Sequence, residues 1–158
     1  MAKIIKANEI KNFFLKLKKQ GKVIVFTNGC FDIVHAGHVD YMEKARSLGD
    51  VLVVGVNSDA SVKRIKGDKR PIVDLDYRLR LLEGLSAIDY LCVFEEDTPL
   101  ELIKDVVPSV LVKGEDWKEK GVVGEDFVKA YGGKVELIKL LPGISTSIII
   151  DKIVKTYK

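Results

Sequence analysis

Two hydrophobic rhythms alternate along the chain. In residues 8–19, Ile10, Phe13, Phe14 and Leu17 recur at i, i+3, i+4 and i+7, with lysines between them and Gly21 behind. That spacing predicts an amphipathic helix whose lysines form a solvated polar face. Residues 22–27 (KVIVFT) are a continuous apolar run, the pattern of a strand buried on both faces as in a parallel sheet. The alternation then continues. A helix is predicted over 37–48, a buried strand over 51–56 (VLVVGV), and a short helix over 58–66 capped by Ser58 or Asp59. A polar, basic loop covers 67–74, and Asp74 caps a helix to about Leu85. A third strand covers 90–94 (YLCVF). Thr98-Pro99-Leu100-Glu101 then reads as a helix start, with a Thr cap and Pro at the first helical position. A fourth strand covers 109–113, a loop 114–124, a helix runs to about Tyr131, a fifth strand covers 134–138, and a last helix covers 145–155.

Strands that alternate with helices predict an α/β fold, with a mostly parallel sheet and right-handed crossovers. At 158 residues the chain is one domain, 1–158, with the amphipathic helix within residues 1–20. Composition trims the possibilities. Hydrophobic residues at 47% exclude disorder, and two cysteines, Cys30 and Cys92, exclude a disulfide framework. A net charge of +3 does not suggest a nucleic-acid partner. No apolar run approaches the length of a membrane span, and the first twelve residues do not form a secretion signal, so the expected location is the cytoplasm.

In such folds ligands sit outside the carboxyl ends of the strands, so the chemistry is sought there. After the first predicted strand comes Gly29-Cys30-Phe31-Asp32-Ile33-Val34-His35-Ala36-Gly37-His38, which holds both histidines of the chain at a turn into a helix. A helix amino terminus offers unpaired N–H groups to an anion, Gly37 lets backbone come close, and two imidazoles can donate to phosphate oxygens. The pair could also share a metal with Asp32, but no further His or Cys completes a shell. After the second strand, Lys63, Lys66, Lys69 and Arg70 form a basic cluster that is either a solvated face or a phosphate neutraliser. After the fourth come Gly114, Glu115, Asp116 and Trp117, able to border a base or simply to pack. After the fifth, Gly143, Ile144, Ser145, Thr146 and Ser147 form either a plain N-cap or a second phosphate cradle. Two such helix starts at one sheet edge, with a basic loop between them, suit a polyphosphate. The chain has neither GxxxxGK[ST] nor GxGxxG.

These segments resemble a known family. GCFDIVHAGH carries the HxGH signature of the nucleotidyltransferase superfamily at His35, Gly37 and His38, and GISTSIII carries its second signature at residues 143–150. The intervening blocks, among them VNSDASVKRIKGDKRPI, VLVKGEDW and LLPGISTSIII, are similar to the adenylyltransferases that make ADP-heptose from heptose 1-phosphate. The cytidylyltransferases of the superfamily carry Arg-Thr-Glu where this chain has Leu140, Leu141 and Pro142, which argues against CTP with glycerol phosphate.

The resemblance implies a Rossmann-like, doubly wound, five-stranded parallel sheet of order 3-2-1-4-5 with helices on both faces. It implies ATP and a sugar 1-phosphate as substrates, Mg²⁺ with the ATP, a sugar kinase as a separate enzyme of the same pathway, and a homodimer. His35 and His38 are expected at the α-phosphate and leaving pyrophosphate, with Ser145, Thr146 and Ser147 at the β- and γ-phosphates. Lys63, with Lys66, is expected at the sugar phosphate or the leaving group, and Arg78 near the triphosphate. Gly29, Cys30, Phe31, Gly37, Gly143, Ile144 and residues 114–117 would line the nucleotide. Asp32 would touch the metal or orient His35 or its loop. The competing readings are a related cytidylyltransferase, an FAD synthetase, and a silent nucleotide-binding module.

Overall fold

The computed structural model describes residues 1–158. Its elements are β1 (Lys3–Ile4), α1 (Ile10–Lys19), β2 (Ile24–Gly29), α2 (Ala36–Arg46), β3 (Val51–Asn57), α3 (Asp59–Lys66), α4 (Leu75–Glu83), β4 (Tyr90–Phe94), α5 (Leu100–Val106), β5 (Val110–Gly114), α6 (Glu125–Ala130), β6 (Lys134–Ile138) and α7 (Thr146–Tyr157). A single 3₁₀ turn, Glu115–Trp117, follows β5. The α/β class and the parallel sheet are as expected from the alternation.

The strand count is corrected. The sheet has six strands, not five, in the order β1-β4-β3-β2-β5-β6. The five expected strands all form and keep the relative order 3-2-1-4-5, and the additional one is β1 at the edge beside β4. Two residues leave no periodic signal, because a strand is recognised over four to eight positions. What fixes β1 is its environment. The Lys3 N–H donates to Asp89 O at 2.9 Å and the Ile5 N–H to Leu91 O at 2.9 Å, while flanking Ala2 and Ile5 are buried. A second correction concerns α5. The helix begins at Leu100, Pro99 flanks it, and no side chain caps it.

All strand pairs are parallel, so every crossover returns over a face and both faces are covered. Strand alternation sorts the side chains into two cores. On one face Val25, Leu52, Val54, Leu91 and Val112 meet Tyr41, Met42 and Ala45 of α2 and Leu79 and Leu82 of α4. On the other, Ile24, Phe26, Val53, Cys92 and Leu111 meet Ile10 and Phe14 of α1 and Leu102, Ile103 and Val106 of α5. The apolar face of α1 therefore packs on its own sheet. No helix is long and apolar enough to cross a membrane.

Candidate active site

A cavity of about 650 Å³ opens along the carboxyl ends of β2, β3 and β5. It is lined by residues from all four predicted segments. These include Gly29, Cys30, Phe31, His35, Gly37 and His38, then Gly114, Asp116 and Trp117, and finally Ile144, Ser145, Thr146 and Ser147. The starts of α2 and α7 thus share one cavity although they are more than a hundred residues apart. The Thr146 hydroxyl donates to Ile33 O at 3.3 Å and ties the two turns together.

The α2 turn is built by its own side chains. His35 is the N-cap, and its Nδ1 accepts from the Gly37 N–H at 3.1 Å. His38, three positions on, returns the favour: its Nδ1 accepts from the His35 N–H at 3.3 Å. The rings stack with centroids 3.9 Å apart and planes 30° apart. A backbone N–H only donates, so each Nδ1 is unprotonated, and each neutral ring carries its proton on Nε2. Both rings line the cavity and hold one Nε2–H donor each. Burial, reinforced by neighbouring His35, pulls His38 down to about 4, and burial lowers His35 as well. Both are therefore neutral donors at pH 7.

Gly37 is required by this stack. A Cβ there would stand 3.0 Å from His35 Nδ1 and Cε1 and 3.3 Å from Ile144 Cγ2. At Gly29 a Cβ would lie 2.9 Å from the Phe31 ring, and Phe31 itself sits at φ +49°. The left-handed region is costly for a side-chain-bearing residue, and it is held here where the strand turns into the histidine segment.

The α7 turn is built differently. Gly143 at φ +79° turns the chain and has open space around it. Ser145 is the N-cap, and its Oγ accepts from the Ile148 N–H at 3.2 Å, leaving its own hydroxyl proton free to donate.

Several expected site residues are placed elsewhere. Arg78 does not reach the cavity. Its buried guanidinium donates to Val73 O (3.0 Å), Cys30 O (2.6 Å), Asn57 O (2.9 Å) and Asp59 Oδ1 (2.7 Å), which uses its fork to join the ends of β2 and β3 to α3 and α4. Lys63 is exposed and lies 3.7 Å from Asp68, outside the cavity; Lys66 and Arg70 line it instead. Glu115 is exposed and stands off the wall formed by its neighbours Gly114 and Asp116. Asp32 is not free to hold a metal. Its buried carboxylate accepts from the N–H groups of Ile72 (2.8 Å) and Val73 (2.8 Å) and pairs with Arg70. Burial raises its pKa, but those three donors outweigh burial and hold the carboxyl below its ordinary value. Asp32 therefore anchors the 70–73 loop, one of the two roles open to it. No group of three His, Cys, Asp or Glu side chains is arranged around a metal position.

The cavity also contains residues that the motifs passed over: Asn28, Tyr41, Asn57 and Thr98. Tyr41 OH is paired with Thr27 Oγ1 at 2.9 Å beneath the histidines. Lys113 is 8% exposed and burial pulls its ammonium down to about 8. Its Nζ donates to Asn28 O at 3.3 Å and lies 5.1 Å from the Trp117 ring centroid. A polar residue ending an otherwise apolar strand was the available signal for both Asn28 and Lys113.

Comparison with known proteins agrees with this geometry. The cytidylyltransferase-like family model matches residues 26–152, which span both cradles. The chain is 58% identical over 140 residues to the bifunctional protein HldE of Geobacter metallireducens, covering 89% of this chain and 29% of that protein. It is 52% identical over 156 residues to HldE of Geobacter sulfurreducens, covering 99% of this chain and 32% of that one. The chain thus spans under a third of the length of these relatives. Among solved structures, a lipopolysaccharide core biosynthesis protein from Thermoplasma volcanium matches with a TM-score of 0.61 at 27% identity, over 77% of this chain and 98% of that one. The chain belongs to the cytidylyltransferase-like family of nucleotidyltransferases.

Proposed function

We propose that this chain is an adenylyltransferase that converts ATP and D-glycero-D-manno-heptose 1-phosphate into ADP-heptose and pyrophosphate. The observation that carries the reading is the pair of neutral imidazoles, each fixed with its proton on Nε2, facing a hydroxyl-bearing helix start across one cavity. An oxygen of the sugar phosphate attacks the α-phosphorus in line, the bond to the bridging oxygen breaks, and pyrophosphate leaves with the electron pair. A phosphate monoester is already nucleophilic at neutral pH, so the site needs no general base. Its tasks are positioning and stabilisation of growing negative charge.

In this reading the Nε2–H groups of His35 and His38 bind the α-phosphate and the departing pyrophosphate oxygens. The start of α7 binds the outer phosphates through backbone N–H groups and the Ser145 hydroxyl. Lys66 and Arg70, which line the cavity where Lys63 does not, supply the positive charge at the sugar phosphate or the leaving group. Gly114, Asp116 and Trp117 border the nucleoside. Mg²⁺ brought in with the ATP would supply charge neutralisation at the triphosphate. Leu140 and Leu141, where cytidylyltransferases carry Arg and Thr, favour ATP over CTP. The HldE likeness and the blocks shared with ADP-heptose enzymes favour heptose 1-phosphate as acceptor.

A nucleotide and acceptor matrix tests this: pyrophosphate release from ATP or CTP with heptose 1-phosphate, glycerol 3-phosphate or FMN. Turnover confined to ATP and the sugar phosphate is the expected result. Faster turnover with CTP and glycerol phosphate, or with FMN, replaces the reading by one of its alternatives. Nucleotide binding without turnover on any acceptor identifies a silent module.

A further inference from the structure

The cavity is two-sided, and the proposed phosphate chemistry accounts for only one side. Thr27 reaches the α2 face, where it meets Tyr41. Asn28 lies one position on and therefore points to the opposite face, with Phe26. A Cβ built on Gly55 would meet Asn28 Cβ at 3.2 Å beside Leu102 of α5, which places Asn28 on the α5 face. Lys113 shares this face, two residues after Leu111. Both side chains line the cavity across the sheet from the histidines, near Thr98.

This second lobe has unmet hydrogen-bonding capacity. Asn28 Oδ1 is sealed from water and has no partner; it is the one such buried side-chain atom in the chain. Native folds seldom leave a buried acceptor unpaired, and each exception calls for a physical explanation; beside a cavity, a bound group that completes the bond is one. Lys113 is nine-tenths buried, spends one donor on the Asn28 carbonyl, and keeps two more with no carboxylate salt-bridged to it. The chemistry of the occupant follows. An unpaired amide oxygen repels phosphate oxygens and calls for an O–H or N–H donor. An adjacent ammonium calls for an oxygen acceptor. A hydroxyl-rich ligand supplies both at once.

We propose that this lobe is the subsite for the polyol part of the acceptor, with Asn28 Oδ1 accepting from a sugar hydroxyl and the Lys113 ammonium donating to a neighbouring sugar oxygen. The proposal rests on the sugar-phosphate reading above and adds the residues that choose among sugars. The pair is absent from the HxGH and GISTS signatures, which serve the nucleotide.

Steady-state kinetics of the full chain with ATP and heptose 1-phosphate, or a deoxy analogue lacking one ring hydroxyl, test it in wild type, Asn28→Ala and Lys113→Met. In Asn28→Ala the KM for heptose 1-phosphate should rise about tenfold, the scale of one lost hydrogen bond, with the KM for ATP unchanged. Preference for the hydroxylated sugar over its deoxy analogue should shrink by a similar factor. Lys113→Met, which keeps the side-chain length, should move the same constant in the same direction. The ligand-free melting temperature of Asn28→Ala should hold or rise, since no protein hydrogen bond is lost. Equal rises in both KM values, or unchanged sugar selectivity with a lowered melting temperature, would overturn the proposal and leave Asn28 a packing residue. Wild-type turnover with unaltered selectivity in both variants overturns this proposal alone. Absence of wild-type turnover with any sugar 1-phosphate overturns it together with the adenylyltransferase reading.

Discussion

The two helix starts that face each other across the cavity solve one problem in opposite ways. The α2 turn is internally over-determined. Two histidines cap each other's backbone, a glycine makes room for their stack, and the turn rests on the buried Tyr41 and Met42. The α7 turn is lightly held. Its helix has no buried residue, its N-cap bond is exposed, and its tether to the other turn is the Thr146 hydroxyl. The difference separates two demands. In the proposed reaction, groups at the reacting phosphorus must be fixed before substrate arrives, whereas groups on the outer phosphates can settle once the nucleotide is bound. Placement of imidazoles within a few tenths of an ångström is bought with packing, and grip on a mobile triphosphate is not.

Substitutions on the two sides should therefore differ in size and in kind. His38→Ala should lower kcat by ~10²–10³, the cost of one preorganised donor, with the fold intact by circular dichroism. A near-normal kcat would remove His38 from the chemistry. Gly37→Ala should follow at up to ~10²-fold. Its methyl would crowd His35 at 3.0 Å and Ile144 at 3.3 Å, so the ring must give by a few tenths of an ångström, and a full ångström of misplacement, costing about 10²-fold, is the upper bound. If activity survives, the stack is looser than the 3.9 Å ring separation implies.

Acid should expose the same asymmetry. Both histidines have pKa values below those of the unfolded chain, so the unfolded state binds more protons as pH falls. Stability from these groups is full above about pH 6.5 and is lost as pH drops toward about 4, while kcat should decline only as pH approaches about 4, where His38 of the folded enzyme takes up its proton. In His38→Asn the slope of melting temperature against pH should flatten, and an unchanged slope would assign the acid sensitivity to other groups. Smallest is Ser145→Ala. Loss of the cap costs ~1 kcal/mol of helix stability, and the KM for ATP should rise a few-fold while kcat holds. A fall in kcat matching that of His38→Ala would erase the distinction between the two turns.

The same contrast explains what was legible in the sequence. The four inner strands were visible because they are apolar at nearly every position, the edge strand β6 because its exposed Lys134 and Glu136 alternate with Val135, Leu137 and Ile138, and the two helix starts because such a turn after a strand has few uses. Strand β1 was hidden because two residues carry no period. Arg78 was located but its partners were not, and Asp32 stood between a metal role and a loop-orienting role. A charged residue near a binding motif looks the same whether its charge meets a ligand or, as here, the backbone carbonyls of Cys30 and Asn57 or the amides of Ile72 and Val73. Lys63 and Lys66 differ by less than one helical turn, and only the packing of α3 decides which of them meets the cavity. Asn28 left only the weak signal of a polar residue at a strand end, because its significance lies in a bond it does not make.

Strand β1 has a practical corollary. Lys3 pairs with Tyr90, the first residue of β4, so the chain joins the sheet at its amino edge while the cavity opens at its carboxyl edge. An affinity tag or fusion partner placed ahead of Lys3 would emerge on the side of the molecule remote from substrate entry. Such an attachment would leave turnover untouched, whereas one spliced into the 139–144 segment would sit at the mouth of the cavity.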